Sequence, residues 1–179
     1  MLHVPDYAPI GAGVLGAALV LGAVAYGRAR WLLWLALAAS VGVIAWLTLV
    51  LTFGDAGGTG LNLELFREIR RALNGGGSGH LNLVGNVLMF VPVGALVAWL
   101  ARRARLVTAT VVGLLLSVGI EATQLGLGRV GDIDDVVLNA AGAAVGGVLA
   151  VAWAAARRPS RVGYDEPRAS SSVGRAADF

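Results

Sequence analysis

The chain has 179 residues, of which 57% are hydrophobic and 14% are charged, and its mean hydropathy is +0.75. Soluble domains carry about 25% charged residues, so the composition indicates an integral membrane protein with a single domain. The absence of cysteine excludes disulfides, thiolate metal sites and cysteine nucleophiles. All 14 strongly basic residues are arginines beside apolar segments, which indicates membrane orientation rather than nucleic-acid binding.

Five apolar segments are long enough to cross a bilayer as helices. They cover residues 9–26, 31–53, 81–101, 106–125 and 133–156. A cleaved signal peptide is the alternative interpretation of the first segment, although no basic region precedes it. We therefore expect an all-α, polytopic helical membrane bundle of about five transmembrane helices, in one domain over residues 1–156.

Two further segments lie outside the predicted spans. Residues 62–74 place apolar side chains on one face of a helix and mostly charged ones on the other, with Asn62 as a candidate N-cap. This pattern predicts an amphipathic helix on the membrane surface. Residues 157–179 are polar and rich in arginine, which predicts a disordered cytoplasmic tail.

The arginines predict the orientation of the spans. Ten of them lie in the links at 28–30 and 102–105 and in the tail, and four lie on the other side. Because positive charge is retained in the cytoplasm, the N-terminus is predicted outside and the C-terminus inside.

In this orientation, polar side chains of the last three spans converge at the outer face. An ionised group in hydrocarbon costs roughly 2.5–3.5 kcal/mol on insertion scales, so such residues are kept for a partner, an ion or a ligand. The candidate ligand-binding residues are Asn82, Asn86, Ser117, Glu121, Gln124, Arg129, Asp132, Asp135 and Asn139.

Three kinds of chemistry fit this set. Glu121, Asp132 and Asp135 offer oxygen ligands to a divalent cation, although the spacing is a weak metal signal. Glu121 is also a candidate general base, with Arg129 binding a lipid phosphate. Alternatively, the residues bind a polar head group without reaction.

Structural interpretations stay open for the same residues. The two asparagines of the third span are candidates for hydrogen bonds between helices. Arg129 and Asp132 are placed for a salt bridge in the loop. Asp134 is expected to face water, because its neighbours at 132 and 135 fall on other faces of the helix.

Three sequence blocks resemble the VanZ-like family of membrane proteins. They are residues 82–94, Ser117 with residues 120–124, and residues 129–142, in this order and spacing. The resemblance covers about residues 45–155 and implies a helical membrane protein of the bacterial cell envelope. The family's founding member lowers susceptibility to the glycopeptide teicoplanin, and no agreed reaction or cofactor comes with the family. The positions that carry over as functional are Asn86, Glu121, Gln124, Arg129, Asp132, Asp135 and Asn139.

The leading hypothesis is a plasma-membrane protein that binds a lipid-linked or glycolipid head group at its outer face. The alternatives are a membrane hydrolase or transferase with Glu121 as its base, and a small transporter or structural partner. Gly142 and Gly146 motivate the last alternative, because a small-xxx-small pair lets another helix approach closely. No cofactor and no nucleic acid are expected; the expected partners are membrane lipids or an envelope precursor, and a homo-oligomer or membrane-protein partner stays open.

Overall fold

The computed structural model describes residues 8–25, 30–51, 60–67, 69–70, 74 and 77–157. Helices α1 (Ala8–Ala25) and α2 (Arg30–Ala45) come first, and α2 continues as a π-helix over Trp46–Leu51. Strand β1 (Gly60–Asn62) precedes α3 (Gly77–Leu100) and α4 (Arg105–Gly126). Strand β2 (Val130–Asp132) then leads directly into α5 (Ile133–Ala156).

Four helical stretches of the described chain are long and apolar enough to cross a membrane. They are Arg30–Val50, Leu83–Leu100, Arg105–Gly126 and Ile133–Ala156. Helix α1 contributes a shorter apolar stretch over Ala8–Val20. The predicted helical membrane bundle is therefore confirmed.

Helix α3 is the centre of the bundle and contacts all four other α-helices. It buries 67% of its span inside the protein, whereas α4 buries 28% of its own. Phe90, Val93 and Leu96 of α3 are completely buried. In a bilayer the apolar outer faces of the other helices are solvated by lipid, so only the central helix needs protein on every side.

Close packing of α3 on α5 depends on glycine. A Cβ atom at Gly142 would collide with the carbonyl oxygen of Val87, and one at Gly146 with that of Val91. The predicted close approach of a helix to these glycines therefore occurs within the chain. The glycine pair is occupied by α3 and gives no support to an external helix partner.

Helix α1 is also packed tightly on α3. A Cβ atom at Gly16 would lie 2.5 Å from Cγ of Pro92, and one at Gly13 would lie 2.8 Å from the Leu88 carbonyl oxygen. The first segment therefore packs as a helix of the bundle, and its cleavage as a signal peptide stays an alternative.

Strands β1 and β2 pair in parallel, with Asn62 beside Asp132. The sequence predicted no strand and placed a helix start at Asn62, which is wrong. The backbone of residues 60–62 bonds to the 130–132 strand instead, and helical backbone appears from Arg67, with the Arg70 N–H donating to the Phe66 carbonyl at 2.9 Å. The predicted tail lies outside the described residues except for Arg157.

The chain direction gives the bundle two different ends. The polar end comprises both strands, the ends of α2 and α4 and the starts of α3 and α5. The arginine end comprises the starts of α2 and α4 and the ends of α3 and α5. At the arginine end, Arg30 Nη2 donates to the Leu100 carbonyl at 3.0 Å and satisfies a free acceptor at the end of α3.

Candidate functional site

Six of the predicted residues form three hydrogen-bonded pairs in a polar column that descends from the polar end between α3, α4 and α5. The members of this polar column are Asn86, Ser117, Glu121, Asp132, Asp135 and Asn139. Ser117 and Glu121 are four residues apart on α4, and Asp135 and Asn139 are four apart on α5. Helical spacing therefore gives each helix one polar face, as the sequence predicted.

Asp132 joins three elements at the top of the column. Its side chain caps α5, because Oδ1 accepts the Asp134 N–H at 2.9 Å. Its Oδ2 accepts from Asn62 Nδ2 at 2.8 Å, and its own N–H donates to Glu121 Oε2 at 2.8 Å. Both carboxylate oxygens thus have partners in the chain, and the predicted salt bridge to Arg129 is replaced by these bonds.

Glu121 lies on α4 with 8% of its surface exposed. A buried carboxylate requires partners that replace water, and the Asp132 N–H supplies one of them. Because β2 leads directly into α5, this bond also fixes the Glu121 carboxylate relative to the first turn of α5. The carboxylate is therefore held in a defined position between α4 and α5.

Lower in the column, side chains pair across helices. Asn86 Nδ2 of α3 donates to Asp135 Oδ1 of α5. Asn139 Nδ2 of α5 donates to Ser117 Oγ of α4 at 2.9 Å. The Asn86 bond confirms the expectation of an interhelical hydrogen bond, and the side chain of Asn82 lies outside the described part of the chain.

Asn139 holds an unused acceptor. Its Oδ1 is buried and has no hydrogen-bond partner within the described residues. Buried polar atoms are nearly always paired, and an exception in a native fold needs an explanation such as a bound water or ligand. The column therefore ends in an open acceptor between α4 and α5.

Gln124 and Arg129 both contact the end of α2. Gln124 Nε2 donates to the Thr48 carbonyl oxygen at 3.1 Å, and Arg129 Nη1 donates to the same oxygen at 2.7 Å. Thr48 belongs to the π-helix at the end of α2. The two side chains therefore tie the α4–β2 turn to α2, a role that sequence reasoning did not predict.

Asp134 is the clearest error of the sequence interpretation. It was expected to face water, but it is 2% exposed and accepts the Phe66 N–H through Oδ1 at 2.6 Å. The segment of residues 60–66, named here the strap, lies on the side of α5 that the helical pattern had assigned to solvent. Asn62 of the strap was likewise missed as a site residue.

The arrangement of the acidic side chains gives no support to a divalent-cation site. Within the described ranges, no group of three or more His, Asp or Glu side chains is placed to hold a metal ion. Asp132 and Asp135, the two weak candidates, instead accept from asparagine amides. Each of these amide N–H groups is directed at a carboxylate oxygen that a cation would use as a ligand.

A family of known proteins matches most of this chain. No curated protein and no solved structure matches the chain. A sequence model of the VanZ/LLP1 family matches residues 20–154, which is more than half of the chain and includes the whole polar column. The chain therefore belongs to the VanZ/LLP1 family of membrane proteins.

Proposed function

We propose that this VanZ-type envelope protein binds the polar head group of a lipid-linked or glycolipid molecule in its polar column. The observation that carries the proposal is the unpartnered Asn139 Oδ1, buried within the span of α5 near the carboxylates of Glu121 and Asp135. Burying a polar group within a membrane span costs free energy, so such a group is by default a candidate functional residue.

The chemistry of the column favours a head group rich in hydroxyl or amide donors. Glu121, Asp135 and Asn139 present mainly acceptor oxygens. Arg129, the cation expected to bind a phosphate, uses one of its N–H groups on the Thr48 carbonyl at the end of α2. A sugar hydroxyl is the complementary donor for such acceptors, and we assign the sugar or peptide part of the ligand, rather than its phosphate, to the column.

The charge distribution supports an outward-facing column. The described acidic residues all lie at the polar end, whereas the starts of α2 and α4 and the end of α5 carry Arg30, Arg105 and Arg157. With the arginine end in the cytoplasm, the column opens toward the cell envelope. In this reading Gln124 and Arg129 are positioning residues, because they hold the turn that carries Asp132.

The test is a comparison of the lipids that co-purify with the protein, measured by native mass spectrometry. Wild type is compared with Glu121→Gln and Asn139→Ala, and with Glu64→Gln as the matched control. Glu64 is an exposed carboxylate at the polar end, paired with Arg70. We expect a hydroxyl-rich lipid to be retained by wild type and the control and lost from both column variants.

Identical lipids on all four proteins would contradict the proposal. Turnover of the retained lipid by wild type but not by Glu121→Gln would instead identify a membrane enzyme. A second readout is teicoplanin susceptibility of cells that express each variant, which tests the phenotype implied by the family.

A further inference from the structure

An apolar groove lies in the half of the bundle away from the polar column. The groove runs between α1, α3 and α5, has a volume of about 210 Å³ and presents almost no polar surface. Its walls include Ala17, Pro92, Trp99, Leu149 and Trp153. Trp99 and Trp153 lie near the ends of their helices, at the level where tryptophan marks a membrane–water interface.

Arg157 contacts Trp153, one of the residues that line this groove. Its guanidinium carbon lies 4.4 Å from the centre of the Trp153 ring, in cation–π geometry. This contact keeps the guanidinium beside the Trp153 ring, and it uses the charge of the guanidinium rather than a hydrogen bond from its N–H groups. The guanidinium is therefore positioned beside an apolar groove and a tryptophan that lines it.

The described charged residues at the end of the bundle that carries Arg157 are all basic. Arg30, Arg102, Arg103 and Arg105 lie at the same end, and the acidic residues of the described chain lie at the polar end. Arginine near a membrane surface attracts anionic lipid by about 1 kcal/mol per residue. An anionic phosphate is thus the complementary group for this end of the groove.

We propose that this groove binds an acyl chain of an anionic phospholipid whose phosphate contacts Arg157. The site is separate from the polar column, because it occupies the other half of the bundle and uses different side chains. A phospholipid satisfies both halves of the site at once: the chain fills the apolar groove, and the phosphate accepts from the guanidinium edge.

The chain contains a matched control groove. A second groove between α1 and α2 is lined by small and aliphatic side chains, among them Leu19, Leu35 and Ala39. It has no aromatic side chain among its lining residues. It reports on ordinary solvation by lipid chains.

The experiment uses the full chain in nanodiscs of equimolar phosphatidylglycerol and phosphatidylcholine. Lipids that remain bound after transfer to detergent are counted by native mass spectrometry. Arg157→Gln removes the cation, and Ala17→Leu fills the groove from its exposed wall. Arg105→Gln and Ala39→Leu are the controls for charge and for filling.

We expect wild type to retain phosphatidylglycerol over phosphatidylcholine by about fivefold, the ratio that corresponds to roughly 1 kcal/mol for one arginine near a membrane surface. Arg157→Gln should lower that ratio more than Arg105→Gln does, and Ala17→Leu should lower the number of bound lipids more than Ala39→Leu does. Equal retention of the two lipids by wild type, or equal effects of Arg157→Gln and Arg105→Gln, would overturn the proposal.

Discussion

The Asp134 carboxylate accepts the backbone N–H of Phe66 at 2.6 Å and ties the strap to the first turn of α5. Phe66 adopts a positive φ of 65°, a left-handed conformation that costs roughly 1–2 kcal/mol for a residue with a Cβ atom. The hydrogen bond to a buried carboxylate offsets this strain. Asp134 is therefore a structural anchor for the strap.

Asp134→Ala should lower the free energy of unfolding by about 2 kcal/mol, because it removes a charged acceptor and leaves the strained turn without its tie. The measurement is chemical unfolding in detergent, followed by circular dichroism. Glu64→Gln is the control, since its ion pair with Arg70 is about 60% exposed and such pairs contribute roughly 0–1 kcal/mol. Equal losses in both variants would show that Asp134 does not anchor the strap.

A comparison of Asp132→Asn with Asp132→Ala should give the contribution of the Asp132 N-cap of α5 to stability. Asparagine keeps a side-chain oxygen for the Asp134 N–H, whereas alanine loses the cap at about 1 kcal/mol and also loses the Asn62 bond. We expect Asp132→Ala to be the less stable variant. Hydrogen exchange at the Asp134 amide checks the mechanism, and should accelerate in the alanine variant alone.

The spans were predictable because hydrophobic segments are a local signal. The second predicted span, 31–53, differs by at most three residues at either end from the observed Arg30–Val50, and the fifth coincides with Ile133–Ala156. The polar faces of α4 and α5 were predictable for a similar reason, since helical spacing alone brings Ser117 to Glu121 and Asp135 to Asn139.

The contacts that were missed depend on distant or backbone partners. Asn62 and Asp132 are 70 residues apart, and each strand has only three residues, too few for an alternating pattern to be visible. Gln124 and Arg129 bond to the carbonyl oxygen of Thr48. A backbone acceptor leaves no mark on the sequence, so this contact could not be predicted, and the ligand-binding role of the two donors stays a prediction.

Arg129→Ala should therefore act on stability rather than on ligand selection. Loss of its bond to the Thr48 carbonyl should lower the free energy of unfolding by about 1–2 kcal/mol. The folded fraction should still retain the lipid bound by wild type. Arg70→Ala is the exposed control for the loss of an arginine. Loss of the lipid from folded Arg129→Ala protein, with stability unchanged, would instead show that Arg129 contacts the lipid.

Gly146→Ala should destabilise the α3–α5 interface by about 1–3 kcal/mol, because the added methyl meets the backbone of α3 at Val91 and Ala95. Gly119→Ala is the matched control on α4, where a Cβ atom meets nothing within 4 Å. The control should be neutral or slightly stabilising, since alanine favours the helix. Similar unfolding curves for both variants would contradict the close crossing of α3 and α5.

Variants of Ser117 and Asn139 distinguish the stability that a bound ligand adds from the stability that helix packing provides. Interhelical side-chain hydrogen bonds contribute about 0.6 kcal/mol on average, so Ser117→Ala and Asn139→Ala should each change stability modestly without ligand. A lipid that donates to Asn139 Oδ1 adds stability that rises with the logarithm of its concentration above the Kd, so adding it should raise the melting temperature of wild type and of Ser117→Ala. Asn139→Ala should show no such rise. If all three proteins respond equally, the open acceptor does not contact the ligand, and the head group must be placed nearer Glu121.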